Sequence, residues 1–276
     1  MNNSTFDLQL TSGRVRASRI GSPEAPLVIL LHGLSAHLHS FDYIAAGLAE
    51  RNVQLVAVDL RGRGQSEITA PGTYGMQAHA RDVLEIATLL GADQFDLIGW
   101  SMGALIGIVT ANFAPQRVKN LVLIDHAGKM DASTTEKIIQ GLNRLEIVVQ
   151  RQSDYLDAIR LSGSITPWST FWDNYYGYEL GPVPGGLRPT SDKAACLEDL
   201  HDLIELDFVP LWKKLIMPTL LIRCLKPVAD GFVVPATERD SIRENAPNLT
   251  VAEFDFDHYK IMESKEALHT IKQFLS

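Results

Sequence analysis

The chain has 276 residues, 46% of them hydrophobic and 21% charged, with a formal net charge of −8. That supplies one large domain, or a core plus an insertion, and excludes wholesale disorder. The negative balance argues against a nucleic-acid partner, which needs a positive field. Met1 to Asp7 has neither a basic start nor an apolar run, and the longest apolar stretch, Leu27–Leu31, is far too short to span a bilayer. The expectation is a cytoplasmic protein without a membrane partner. Cys196 and Cys224 stand in no metal-ligand spacing, so no metal site is expected, and two reduced thiols are preferred over a disulfide.

Phe6–Leu10 alternates apolar and polar, Val15–Ile20 does so loosely, and Ser12-Gly13 lies between them, which predicts an antiparallel hairpin. After Pro26 the pattern changes. Leu27–Leu31 is continuously apolar, as a strand buried on both faces must be, and Val53–Val58, Phe95–Ile98, Val118–Ile124 and Thr219–Ile222 share that character. Leu249–Phe256 is a more polar strand candidate. Helical spacing marks Phe41–Arg51, Met76–Leu90, Leu105–Phe113, Ala236–Asn245 and Ser264–Leu275. The alternation predicts a mostly parallel sheet with helices on both faces. It breaks between about Gly128 and Leu211, an aromatic stretch with helical patterns, no buried strand run and a breaker at Gly181–Gly186. We read core segments at 1–128 and 212–276 and a helical cap at 129–211, inserted after the sixth strand. Most of the cap aromatics should pack its own small core; two or three should line a pocket, with Trp168 and Trp172 as candidates beside Trp100 and Tyr259.

The chemistry concentrates at Gly99-Trp100-Ser101-Met102-Gly103. A serine between two glycines, after an apolar run and before a helical one, fits a sharp strand-to-helix turn that exposes the hydroxyl. Larger side chains at Gly99 and Gly103 would collide with the neighbouring strand and helix. The helix start aims free N–H groups at the same spot. Leu31-His32-Gly33-Leu34 follows the first buried strand, so Leu34 and Met102 N–H groups would form a two-donor oxyanion site. His32 is read as a buried buttress of that loop. Asp59-Leu60-Arg61-Gly62-Arg63-Gly64-Gln65-Ser66 is a structural turn; it lacks the spacing and charge of a phosphate loop. His258, after the last strand, is the base that would activate Ser101. The other histidines, His126 among them, need only packed or solvated roles.

Taken together, the His32-Gly33 turn, the Asp59–Ser66 turn, the Gly99–Gly103 elbow, the helical cap and the late His258 resemble the α/β-hydrolase superfamily over essentially the whole chain. The resemblance implies the α/β-hydrolase fold, Ser101 as nucleophile, His258 as base and no cofactor. Serine at the elbow sets the chain apart from haloalkane dehalogenases and epoxide hydrolases, which carry aspartate there. The triad acid most often follows the strand here read as Thr219–Arg223, yet Cys224-Leu225-Lys226-Pro227 offers none. Asp125, 24 residues after Ser101 and at the end of its own strand, is preferred; Asp230 is the alternative. The expected activity is hydrolysis of an ester or lactone of a small, partly apolar substrate through an acyl-enzyme. Two rivals share the scaffold: a carbon–carbon bond hydrolase of a diketone-like ring-fission product, favoured if an arginine stands in the mouth, and a cofactor-independent dioxygenase. A non-catalytic receptor is a distant fourth. The sequence leaves the oligomeric state open.

Overall fold

The computed structural model describes residues 4–276. The chain opens on a hairpin, β1 (Ser4–Leu10) and β2 (Gly13–Ile20). After it come β3 (Leu27–Leu31), a 3-10 turn at Leu38–Phe41 leading into α1 (Asp42–Leu48), β4 (Gln54–Val58), α2 (Met76–Leu89), β5 (Phe95–Trp100), α3 (Met102–Phe113) and β6 (Val118–Ile124). An insertion follows, with α4 (Ala132–Gly141), a 3-10 turn at Leu142–Glu146, α5 (Gln152–Leu161), α6 (Thr170–Tyr178), a hairpin of β7 (Leu180–Val183) and β8 (Gly186–Pro189), α7 (Lys193–Glu205) and the single turn α8 (Val209–Trp212). The chain then returns through β9 (Thr219–Cys224), α9 (Ala236–Asn245), β10 (Leu249–Phe254) and α10 (Lys265–Phe274).

Eight strands form one sheet in the order β1-β2-β4-β3-β5-β6-β9-β10. The β1/β2 and β2/β4 pairs are antiparallel and every later pair is parallel. The uninterrupted apolar runs have a simple cause. Leu27, Ile29 and Leu31 of β3 enter the core on one face, while Val28 and Leu30 enter the core on the other. β4 and β6 split the same way, Val56 and Leu121 against Leu55 and Val122. Helices α2 and α3 cover the first face, and α1 and α10 the second. β10 lies at the sheet edge, which explains its more polar sequence.

Gly181–Gly186, expected as a plain breaker, instead forms β7, the turn and the start of β8. Gly185 and Gly186 take φ of +90° and +145°, and a Cβ on Gly186 would sit 2.1 Å from the Val149 carbonyl. Strands of four half-exposed residues carry no apolar period, so the turn residues were the only signal. One set of ties between the insertion and the core runs through α7. Glu198 accepts from the N–H groups of Gly72 and Tyr74, Asp199 from Gly75 and Asp202 from Met76, at 2.6–2.9 Å. Carboxylates at the start of α2 satisfy orphan donors and the positive end of the helix dipole together.

Candidate active site

Ser101 stands between β5 and α3 at φ 57°, ψ −127°, a conformation few non-glycine residues adopt. The two glycines are required by space. A Cβ on Gly99 would lie 2.2 Å from the Gly103 carbonyl oxygen, and one on Gly103 would lie 2.0 Å from that of Leu31. Gly33 packs against the serine: a Cβ there would approach Ser101 Cβ to 3.1 Å. The α3 helix begins at Met102, directly after the serine, and Leu105–Phe113 continues it. Met102 N–H therefore has no carbonyl a turn behind it, and Leu34 N–H has no partner among the described residues. Both residues line a cavity of about 510 Å³ with Ser101 and His258.

His258 is nearly buried, and its Nδ1 lies 2.8 Å from Asp125 Oδ2. A carboxylate accepts, so Nδ1 carries the proton and Nε2 keeps its lone pair. Trp100 packs its ring 5.2 Å from the imidazole and donates Nε1–H to the His258 carbonyl at 3.0 Å. Asp125 has φ 48°, is 2% exposed and accepts a second bond from Cys224 N–H at 2.8 Å. Asp230 is exposed and makes no hydrogen bond to His258. No hydrogen bond joins Ser101 Oγ to His258; such contacts commonly tighten only around a substrate.

His32 does what a buttress must. Its Nδ1–H donates to the Gly33 carbonyl at 2.7 Å and its Nε2 accepts from Leu60 N–H at 2.9 Å. Burial pushes its pKa down to about 3, so the ring stays neutral. Asp59 holds the following turn by accepting from Leu38 N–H, Gln65 N–H and the Tyr178 hydroxyl. Burial raises its carboxyl to about 6.

The expected pocket residues divide. Trp100 and Tyr259 line the cavity, but Trp168 and Trp172 do not. Trp172 is buried with Nε1–H on Glu263 Oε2, 2.6 Å away, beside the last helix. Trp168 donates to Asp173 Oδ1 at 3.0 Å and stacks on Tyr176. With their polar ends bound elsewhere, both indoles pack away from the cavity, and Tyr175 and Tyr176, one turn on, face it instead. Sequence reasoning also missed Lys137, His126 and Arg144, all of which line the cavity. No motif marks them. Burial pushes His126 to about 3, so it too is neutral. Arg144 pairs with Glu179 and donates Nη2–H to Ser35 Oγ at 3.1 Å and to the Ser35 carbonyl at 3.3 Å. The carboxylate of Glu179 holds its guanidinium well above the ordinary arginine value against the opposing effect of burial. Among the described residues no cluster of His, Cys, Asp and Glu could hold a metal ion, both cysteines are free thiols, and no helix is long and apolar enough to cross a membrane.

A parallel sheet with a strained serine elbow at its carboxyl edge, and an Asp–His pair beside it, defines an α/β-hydrolase. The family model of the alpha/beta hydrolase fold matches residues 26–182, and the chain belongs to that family. Among individual relatives, a 2-(acetamidomethylene)succinate hydrolase of Mesorhizobium japonicum is 26% identical, with 87% of this chain and 90% of the relative covered. An esterase of Mycobacterium tuberculosis is 34% identical over 42% of this chain and 38% of its own length. The crystal structure of an E-2-(acetamidomethylene)succinate hydrolase superposes with a TM-score of 0.89 at 23% identity, covering 99% of both chains. The chain is a hydrolase of this fold.

Proposed function

We propose that the protein is a serine hydrolase that cleaves a carboxylic ester or lactone of a small substrate, without a cofactor. Ser101 Oγ attacks the acyl carbon as His258 Nε2 takes its proton, and Asp125 keeps the imidazole in the required tautomer. Leu34 and Met102 N–H groups receive the oxyanion. His258 returns the proton to the leaving oxygen, and a water activated by the same imidazole releases the acid and frees Ser101. The observation that carries this reading is the 2.8 Å bond from His258 Nδ1 to Asp125, which leaves Nε2 basic beside a cavity that Ser101 also lines. Residues 129–211 act in it as a cap: Met130, Ile138, Leu142, Ile159, Tyr175 and Tyr176 from this stretch give the cavity an apolar wall.

Arg144 favours a second reading of the substrate. Arg144, whose Nη atoms also donate to Tyr155 and Ser35, adds a positive charge to the cavity wall, and Lys137 on the same wall is in no ion pair among the described residues. The two together suit a substrate that carries a carboxylate away from the scissile bond. The relative named for 2-(acetamidomethylene)succinate takes a substrate of that chemistry by its name. The same feature keeps the carbon–carbon hydrolase in contention. The test is turnover of p-nitrophenyl esters, lactones and their carboxylate-bearing analogues by wild type, Ser101→Ala and Arg144→Gln. Ser101→Ala should be inactive. Arg144→Gln should raise KM about tenfold more for the carboxylate-bearing members than for the neutral esters. Wild-type inertness across the panel, or full activity of Ser101→Ala, refutes the ester reading.

A further inference from the structure

The backbone from Gly33 to Ser35 is held carbonyl by carbonyl. His32 and the Ala36 N–H take the Gly33 oxygen, and Arg144 takes the Ser35 oxygen. Between them, the Leu34 carbonyl accepts Arg63 Nε–H at 2.9 Å and the Cys196 thiol at 3.4 Å. Arg63 is 0% exposed. Its Nη1–H goes to the Arg61 carbonyl at 3.1 Å, and its Nη2 lies 2.5 Å from Asp199 Oδ2. Asp199 cannot swing, because His79 Nε2 and Gly75 N–H bond the same carboxylate. Those partners hold it well below the usual carboxylate range. Cys196 and Asp199 stand three residues apart on α7, so one face of an inserted helix reaches Leu34 by two routes.

A fully buried guanidinium is a poor way to gain stability, since apolar residues of similar size often do as well or better. Its fork does something apolar residues cannot: it fixes the direction of a carbonyl. We propose that Arg63, locked by Asp199, is a positioning residue for the oxyanion site: it fixes the Leu34–Ser35 peptide while His32 fixes the Gly33–Leu34 peptide, and between the two clamps the Leu34 N–H faces the acyl oxygen on Ser101. Arg63 touches no substrate and acts only through Leu34. The proposal rests on the reading of Ser101 as nucleophile and Leu34 as oxyanion donor. It ties catalytic geometry to the seating of α7, an element that contributes no triad member.

The experiment is the rate of covalent labelling by a fluorophosphonate, which needs Ser101 and the oxyanion donors but no knowledge of the substrate. Wild type, Ser101→Ala, Arg63→Lys, Arg63→Met and Asp199→Asn are compared at 20 °C, with near-ultraviolet circular dichroism giving the folded fraction. The first-order labelling constant should fall about ten- to hundredfold in both Arg63 variants, as a displacement of about 1 Å in a reacting group does. The half-saturating probe concentration should stay within twofold, and Asp199→Asn should fall in the same direction by less. Should Arg63→Met not fold, Arg63→Lys decides: lysine keeps the charge beside Asp199 but not the Nε–H to Leu34. Folded Arg63→Lys that labels like wild type, with only its melting temperature lowered, overturns the proposal. Wild type that is not labelled, or Ser101→Ala labelled equally, overturns the nucleophile reading itself and the proposal with it.

Discussion

Replacing Asp125 by asparagine tests the acid with the least disturbance of shape. The carboxylate has two duties: Oδ2 accepts from His258 Nδ1 and Oδ1 accepts from the buried Cys224 N–H, each at 2.8 Å. An asparagine can keep its oxygen toward only one of them. Turning the amide N–H₂ toward Cys224 opposes two donors in a dry site and costs about 1–3 kcal/mol. Keeping the oxygen on Cys224 presents N–H₂ to His258 Nδ1, which then gives up its proton and moves it to Nε2, where it blocks acceptance from Ser101. Recovering the useful tautomer costs another donor–donor opposition of about 1–3 kcal/mol, and the imidazolium formed during reaction loses a charged partner worth about 1.5–3 kcal/mol. The tautomer cost and the lost charge together come to roughly 2.5–6 kcal/mol, or about 10²–10⁴ in kcat at about 1.4 kcal/mol per decade. Asp230→Asn, at an exposed side chain that makes no bond to His258, should stay within twofold. The assay is kcat on the best p-nitrophenyl ester at pH 7, with folding checked by circular dichroism. An Asp125→Asn protein above a tenth of wild type, or a collapse of Asp230→Asn, refutes the reasoning.

Gly103→Ala forces a Cβ to 2.0 Å from the Leu31 carbonyl and 2.8 Å from that of His32, backbone that cannot yield. Stability by urea titration should drop about 3 kcal/mol, and a loss under 1 kcal/mol would show that the elbow is softer than drawn. Acid should unfold the protein early. Burial lowers His32 and His126 from 6.5 to about 3 in the folded state, so the unfolded chain binds the extra protons and stability falls as pH drops below 6.5. By pH 5 each histidine costs about 2 kcal/mol at about 1.4 kcal/mol per pH unit. Asp59 works the other way. Its carboxyl rises from 3.8 to about 6 on folding, so its penalty is relieved as pH falls below 6, returning about 1.4 kcal/mol by pH 5. His37, buried and also held well below 6.5, adds in the same direction, so urea titrations at pH 7 and pH 5 should differ by at least about 2–3 kcal/mol in favour of pH 7. Equal stability, or a gain at pH 5, would contradict the burial of those rings.

The sheet was legible because its physics is written one residue at a time. A strand that feeds two cores must be apolar wherever it is buried on both faces: Leu27–Leu31 is so throughout β3, and in β6 the run Leu121–Ile124 is so, while Lys119 and Asn120 fall at its less buried start. The elbow was legible because Gly99 and Gly103 answer a steric demand that only glycine meets. The pocket wall was not legible, for a different reason. Trp172 and Tyr175 sit one turn apart on α6, equally aromatic, and what sends the indole to Glu263 while the phenol faces the cavity is a partner 91 residues away. Arg144 is invisible in the same way: one arginine in a short 3-10 turn, given meaning only by Ser35 and Glu179 across the chain.

The placement of the proposed acid, Asp125, follows from the sheet. β6 and β9 are parallel neighbours, in register from Leu121 with Thr219 to Ile124 with Ile222. Their carboxyl ends therefore lie about 4.8 Å apart, and either can offer a carboxylate to the same imidazole nitrogen. At the end of β9, where the family's acid most often follows, this chain has Cys224, and its backbone N–H instead bonds Asp125 at the end of β6. Asp125 N–H in turn bonds the Ile222 carbonyl at 2.7 Å, so the ladder continues one step past the strands. The left-handed turn at Asp125, φ 48°, then directs the chain out of the ladder while its side chain reaches His258. The loop beyond β9 is left free of that duty, and Pro227, Val228 and Ala229 line the cavity instead. On the proposed reading, a carboxylate at the end of β6 thus keeps its bond to His258 while the loop after β9 is left to line the cavity.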